Sequence, residues 1–84
     1  MIKKEKMKYY KTAQFVPNKG NAWTLYELNE EEIITRILTH LPETGEITLY
    51  AKPKLKTLFQ PDRLEESSKE EFEYVWQEGE DKKK

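Results

Sequence analysis

The sequence predicts a small single α+β domain with a ββαβ core, one main helix packed on one face of a sheet, and a fourth strand or short helix near the C-terminus. Three observations predict it. Apolar and polar residues alternate over 7–16 and again over 23–28, the period of half-buried strands. A stretch from Asn29 to Leu41 combines helical spacing with helix-capping chemistry. A further alternating run covers 47–52. Eighty-four residues allow one domain, and a chain of this size buries a modest core.

In the first strand, Met7, Tyr9, Ala13 and Phe15 share one parity and are expected inside, whereas Lys8, Tyr10, Thr12 and Gln14 share the other. Lys11 falls on the inward parity, which suits an edge strand guarded by charge, or a bulge. Pro17-Asn18-Lys19-Gly20-Asn21 is dense in turn formers. Trp23 and Leu25 then alternate with Thr24 and Tyr26, completing a hairpin.

The main helix is read from Leu28 to Pro42. Asn29 is placed to cap its start, Glu32 completes a capping box, and Leu28 staples against Ile33. Ile33, Ile34, Ile37, Leu38 and Leu41 recur at helical spacing. Glu30, Glu31 and Glu32 match the positive end of the helix dipole, Arg36 and His40 lie toward the negative end, and Pro42 disfavours continuation.

Glu43-Thr44-Gly45-Glu46 forms a turn, and Ile47, Leu49 and Ala51 alternate with Thr48 and Tyr50 in a third strand. After Pro53, Leu55, Leu58 and Phe59 fit a helical turn, while Leu55, Thr57 and Phe59 fit an extended strand; residues 62–66 suggest a short helical turn. Residues 68–77 support two structures. Ser68 and Glu71 make a capping box, with Phe72, Val75 and Trp76 on one helical face; Phe72, Tyr74 and Trp76 also alternate as in a strand. Richness in β-formers favours the strand. The charged ends, a basic 1–6 and a tail of 79–84, are expected to be disordered around a domain spanning 7–78.

A net charge of −1 conceals segregation. Residues 1–20 hold six lysines against one acid, 21–50 one arginine against six acids, and 61–80 two basic residues against eight acids. Such a distribution orients docking onto a charged partner. No cysteine is present, which removes disulfides and thiolate metal sites and points to a reducing, cytoplasmic location. No apolar run is long enough to span a bilayer and the N-terminus lacks the apolar region of a signal peptide, so no membrane association is expected.

Catalytic patterns are absent. His40 is the sole histidine and falls in the last turn of the expected helix, without a partnered nucleophile. The carboxylates lack calcium-loop spacing, and the three isolated glycines form no phosphate cradle. The expected protein is non-enzymatic, with no metal and no cofactor.

The strand registers turn Tyr10, Tyr26 and Tyr50 to one sheet face, with Lys8, Lys52 and Lys54 at its margin and Lys56 extending the basic rim. An acidic C-terminal surface carries Glu65, Glu66, Glu70 and Glu71. Two functions follow as expectations. The first is a small regulator or inhibitor of a protein partner, of the accessory kind carried by phages or mobile elements, acting through the tyrosine face or the acidic surface. The second is binding of single-stranded nucleic acid, with the tyrosines stacking on bases and the lysines meeting phosphates. Self-association through an edge strand is compatible with either. The competing expectation is that the C-terminal segment with Phe72, Tyr74 and Trp76 packs over the tyrosines.

Overall fold

The computed structural model describes residues 7–57 and 64–82. Strands β1 (Lys8–Val16), β2 (Gly20–Leu28), β3 (Ile34–Leu41) and β4 (Glu46–Tyr50) form an antiparallel meander. A short β5 (Glu65–Glu66) pairs with β1, giving the sheet order β4-β3-β2-β1-β5. One helix, α1 (Lys69–Lys82), packs across a single sheet face. The α+β class holds, but the order of elements is ββββ, then β5 and α1, rather than ββαβ.

The expected helix over Asn29–Leu41 is instead a tight connection followed by β3. Four of the eight β3 residues, Ile34, Thr35, Ile37 and Thr39, are β-branched, a composition that favours a pleated strand. Because β3 lies between β2 and β4, it buries side chains on both faces: Leu38 toward α1, Ile34 and Ile37 on the other side. A strand apolar on both faces reads as a nearly continuous apolar run and imitates helical spacing.

The capping chemistry at Asn29 exists, but it reverses the chain. Its Oδ1 accepts hydrogen bonds from the backbone N–H of Glu31 at 2.9 Å and of Ile33 at 3.1 Å. The Asn29 N–H donates to the Ile33 carbonyl, and Glu32 takes a left-handed φ of 62°. Local side-chain bonds of this kind serve a turn as well as a helix start.

The preferred strand over 68–77 is likewise corrected. Ser68 Oγ accepts the Glu71 backbone N–H at 3.0 Å, so the cap nucleates α1, and Phe72, Val75 and Gly79 form its buried stripe. Glu70 and Glu71 in the first turn and Lys82 in the last suit the helix dipole. The helix continues to Lys82 and takes in 79–82 of the expected tail. Gly79 permits this, since a Cβ there would meet Leu49 Cδ2 at 2.7 Å and Ile47 Cγ2 at 2.8 Å.

Two apolar clusters occupy the two sheet faces. Tyr9, Leu25, Leu38, Phe72 and Val75 form the core under α1. Leu28, Ile34 and Ile37 form the second, with Tyr10 and Tyr26 packed against it. Phe15 shares the α1-side parity but is 68% exposed, because the β1–β2 hairpin tip projects beyond the helix. Lys11 causes no bulge; it pairs with Glu71 at 3.2 Å and sits 5.5 Å from the centre of the Trp23 ring.

Residues 51–57 form no regular element; there the Lys56 carbonyl accepts the Ile34 N–H at 2.7 Å. Glu65 and Glu66, expected in a helical turn, form β5. The expectations for 1–6, for Leu58 and Phe59, for 62–63 and for 83–84 lie outside the described residues.

Candidate functional site

Directly opposed residues of neighbouring strands project from the same sheet face, so the pairings define the face turned away from α1. Tyr10 opposes Tyr26, Tyr26 opposes Ile37, and Ile37 opposes Tyr50. The three tyrosines therefore stand in one row across four strands, with Ile37 between the second and third. Tyr50 is 46% exposed, Tyr10 and Tyr26 are half-buried, and Ile37 is buried. Burial pushes the Tyr26 phenol above its ordinary pKa.

A parallel row lies two residues along each strand. Thr12 opposes Thr24, Thr24 opposes Thr39, and Thr39 opposes Thr48. The sheet face thus carries an aromatic row beside a hydroxyl row, and neither row contains a charged residue. Sequence reasoning found the tyrosines and three of the threonines. It missed Ile37 and Thr39 because it placed both in a helix; the β-branched pairs in Ile34-Thr35-Arg36-Ile37-Leu38-Thr39 were the available signal.

The lysines are distributed differently. Lys8 lies on the tyrosine face, one register step beyond Tyr10, and pairs with Glu32 at 3.2 Å. Lys52 and Lys54 are exposed in the segment after β4. The acidic set is divided. Glu66 opposes Tyr10 and Glu65 opposes Lys11, so they belong to opposite faces of the sheet edge. Glu70 and Glu71 lie on α1, behind the sheet, where Glu71 bonds Lys11 and Ser67. The Ser67 hydrogen bond and, against the opposing effect of burial, Lys11 hold the Glu71 carboxyl below its usual range. Because α1 occupies the opposite face, the segment with Phe72, Tyr74 and Trp76 does not cover the tyrosine row.

Among the described residues, the best-connected polar group is on the α1 side. Glu27 is only 6% exposed yet accepts from Arg36, Thr35 and Tyr9. Burial alone pushes the Glu27 carboxyl up, but hydrogen bonds from Arg36, Thr35 and Tyr9 together outweigh it and hold the group below the usual carboxylate range. Arg36 also reaches Glu73 at 3.0 Å and lies over the rings of Phe72 and Trp76. Every member is satisfied, as suits a structural network tying helix to sheet.

Among the described residues, no group of three or more His, Asp or Glu side chains is arranged to hold a metal ion, and no helix is long and apolar enough to cross a membrane. No protein-family model matches the chain, and neither the curated proteins nor the solved structures gave a match.

Proposed function

We propose that this protein is a non-enzymatic recognition module, regulating or inhibiting a protein partner through the sheet face turned away from α1. The observation that carries this reading is the row Tyr10–Tyr26–Ile37–Tyr50 alongside the row Thr12–Thr24–Thr39–Thr48. Tyrosine offers large, rigid apolar area with a hydroxyl at its tip, and protein interfaces are enriched in it. The threonine row adds hydrogen-bonding groups without charge, so the complementary surface is apolar and polar rather than ionic.

A second reading, binding of single-stranded nucleic acid, gains from one observation: the acidic helix lies behind the sheet and does not oppose phosphates at the tyrosine row. Lys52, Lys54 and Lys56 are exposed beyond Tyr50. The face itself argues for protein. Its two central rows lack cations and Lys8 is matched by Glu32, whereas affinity for nucleic acid rests chiefly on basic groups meeting phosphates.

The test is affinity capture with the full chain as bait, beside Tyr50→Ser and Thr48→Lys variants. A protein retained by the parent and lost by both variants supports the reading. Identical capture by all three baits, or enrichment of nucleic acid that disappears with salt, overturns it.

A further inference from the structure

On the opposite side from the tyrosine row, along the flank of α1 and on toward the β1–β2 hairpin, two adjoining hollows of about 340 and 310 Å³ share Trp23 and Pro42 as common walls. Phe15 bounds one end and Tyr74 of α1 the other. These two rings are 68% and 69% exposed, the most exposed large apolar side chains among the described residues. The fold buries neither ring, so both stand available to a ligand at the two ends of the groove.

Carboxylates beside the groove outnumber the cations; Lys82, near its hairpin end, donates to the Gly45 carbonyl. Lys11, the lysine within the groove, is neutralised by Glu71 at 3.2 Å. Glu43 lines the hairpin end and has no ion-pair partner among the described residues. Glu70 and Glu78 lie one helical turn on either side of Tyr74, hence on its face of α1. Lys11 lies against Trp23 with its ammonium 5.5 Å from the ring centre, so this indole face already accommodates a cation.

We propose that this groove binds a proline-rich peptide carrying basic residues. A polyproline II chain is extended before binding, so little freedom is lost, and its prolyl rings pack on aromatic ridges separated by shallow hollows. Trp23, Tyr74, Phe15 and Pro42 supply the ridges. Glu43, Glu70 and Glu78 supply the attraction for arginine or lysine in the peptide. The site is separate from the tyrosine face, which gives the molecule two recognition surfaces on opposite sides.

The experiment is a titration of the ¹⁵N-labelled full chain with the synthetic peptide Ac-Pro-Pro-Arg-Pro-Pro-Arg-Pro-Pro-NH₂, followed by amide and indole chemical shifts. Saturable movement of the Trp23 indole and of the amides of Phe15, Glu43 and Tyr74, with the Tyr10, Tyr26 and Tyr50 amides still, is the expected result. Tyr74→Ala, an exposed position that leaves the core intact, weakens binding about tenfold or more, as loss of an aromatic anchor does; Gln14→Ala, exposed on the opposite face of β1 from Phe15, leaves it unchanged. Absence of saturable shifts at about 1 mM peptide, an affinity too weak for a specific site, overturns the proposal. So does an equal response to the peptide with every proline replaced by alanine, or shifts confined to the tyrosine row.

Discussion

Arg36 grips Glu27 of the neighbouring strand in a two-point fork, Nε donating to Oε1 at 2.7 Å and Nη2 to Oε2 at 2.6 Å. The same guanidinium lies 4.9 Å from the Phe72 ring centre and 4.7 Å from that of Trp76, and those rings stack on each other at 5.8 Å. One cation therefore joins β2, β3 and α1. Planarity makes this possible, since a guanidinium bonds a carboxylate in its plane while its faces meet aromatic rings.

Replacing Arg36 alone leaves Glu27 buried with its charge uncompensated. Arg36→Leu is expected to lower stability by about 3–5 kcal/mol, a large part of what a small domain has. Changing Glu27→Leu as well removes the stranded charge, so the double variant is more stable than the sum of the single changes implies. Urea unfolding of all four proteins gives the coupling energy. Additive losses would show that the pair is not a unit.

The pH dependence follows from the direction of the Glu27 shift. Its folded pKa is depressed below the ordinary 4.5, so its stabilising contribution is present above that value and is lost as pH falls through the folded pKa. Urea midpoints of the parent are expected to drop more steeply below pH 4.5 than those of Glu27→Gln, which starts less stable at neutral pH. Parallel acid profiles would refute the assignment.

Tyr9 provides the alkaline counterpart. Burial first, then its 2.9 Å hydrogen bond to Glu27 and the charges of Glu27 and Glu73, push its phenol from 10.0 to about 12, against the opposing influence of Arg36. A raised pKa gives stability that is complete below pH 10 and is lost as pH rises through about 12. Spectrophotometric titration is expected to show a phenol ionising near 12 that is missing in Tyr9→Phe, a variant that costs about 1 kcal/mol at neutral pH.

Gly79→Ala tests the fit of helix to sheet. Alanine gains roughly 1 kcal/mol of helix propensity over glycine, yet its methyl would enter the space of Leu49 and Ile47 at under 3 Å. Overpacking costs roughly 1–3 kcal/mol. A net loss near 1 kcal/mol in urea unfolding is expected, and a gain would mean that β4 yields freely.

Several local features were legible in the chain. The alternation in 7–16 and 23–28 gave the first hairpin, and the parity of Tyr10, Tyr26 and Tyr50 correctly placed the three rings on one face. The Ser68–Glu71 cap was visible too, although the β-forming residues after it suggested a strand. The error at 29–41 has a definite cause: Asn29 capping and apolar spacing are shared by a helix start and by a turn leading into a strand buried on both sides.

By itself the sequence determined the class of fold, the hairpin, the parity of the strands and the groups available for local capping, because these depend on neighbours a few residues apart. Tertiary structure alone decided that 34–41 pairs as a strand and that α1 covers the Tyr9 side of the sheet, the face opposite the tyrosine row. It also brought Arg36 between Glu27 and Trp76. The physical reason is that β2 and β4 supply backbone partners for β3 on both edges and bury it on both faces, and that balance is set by contacts between segments distant along the chain.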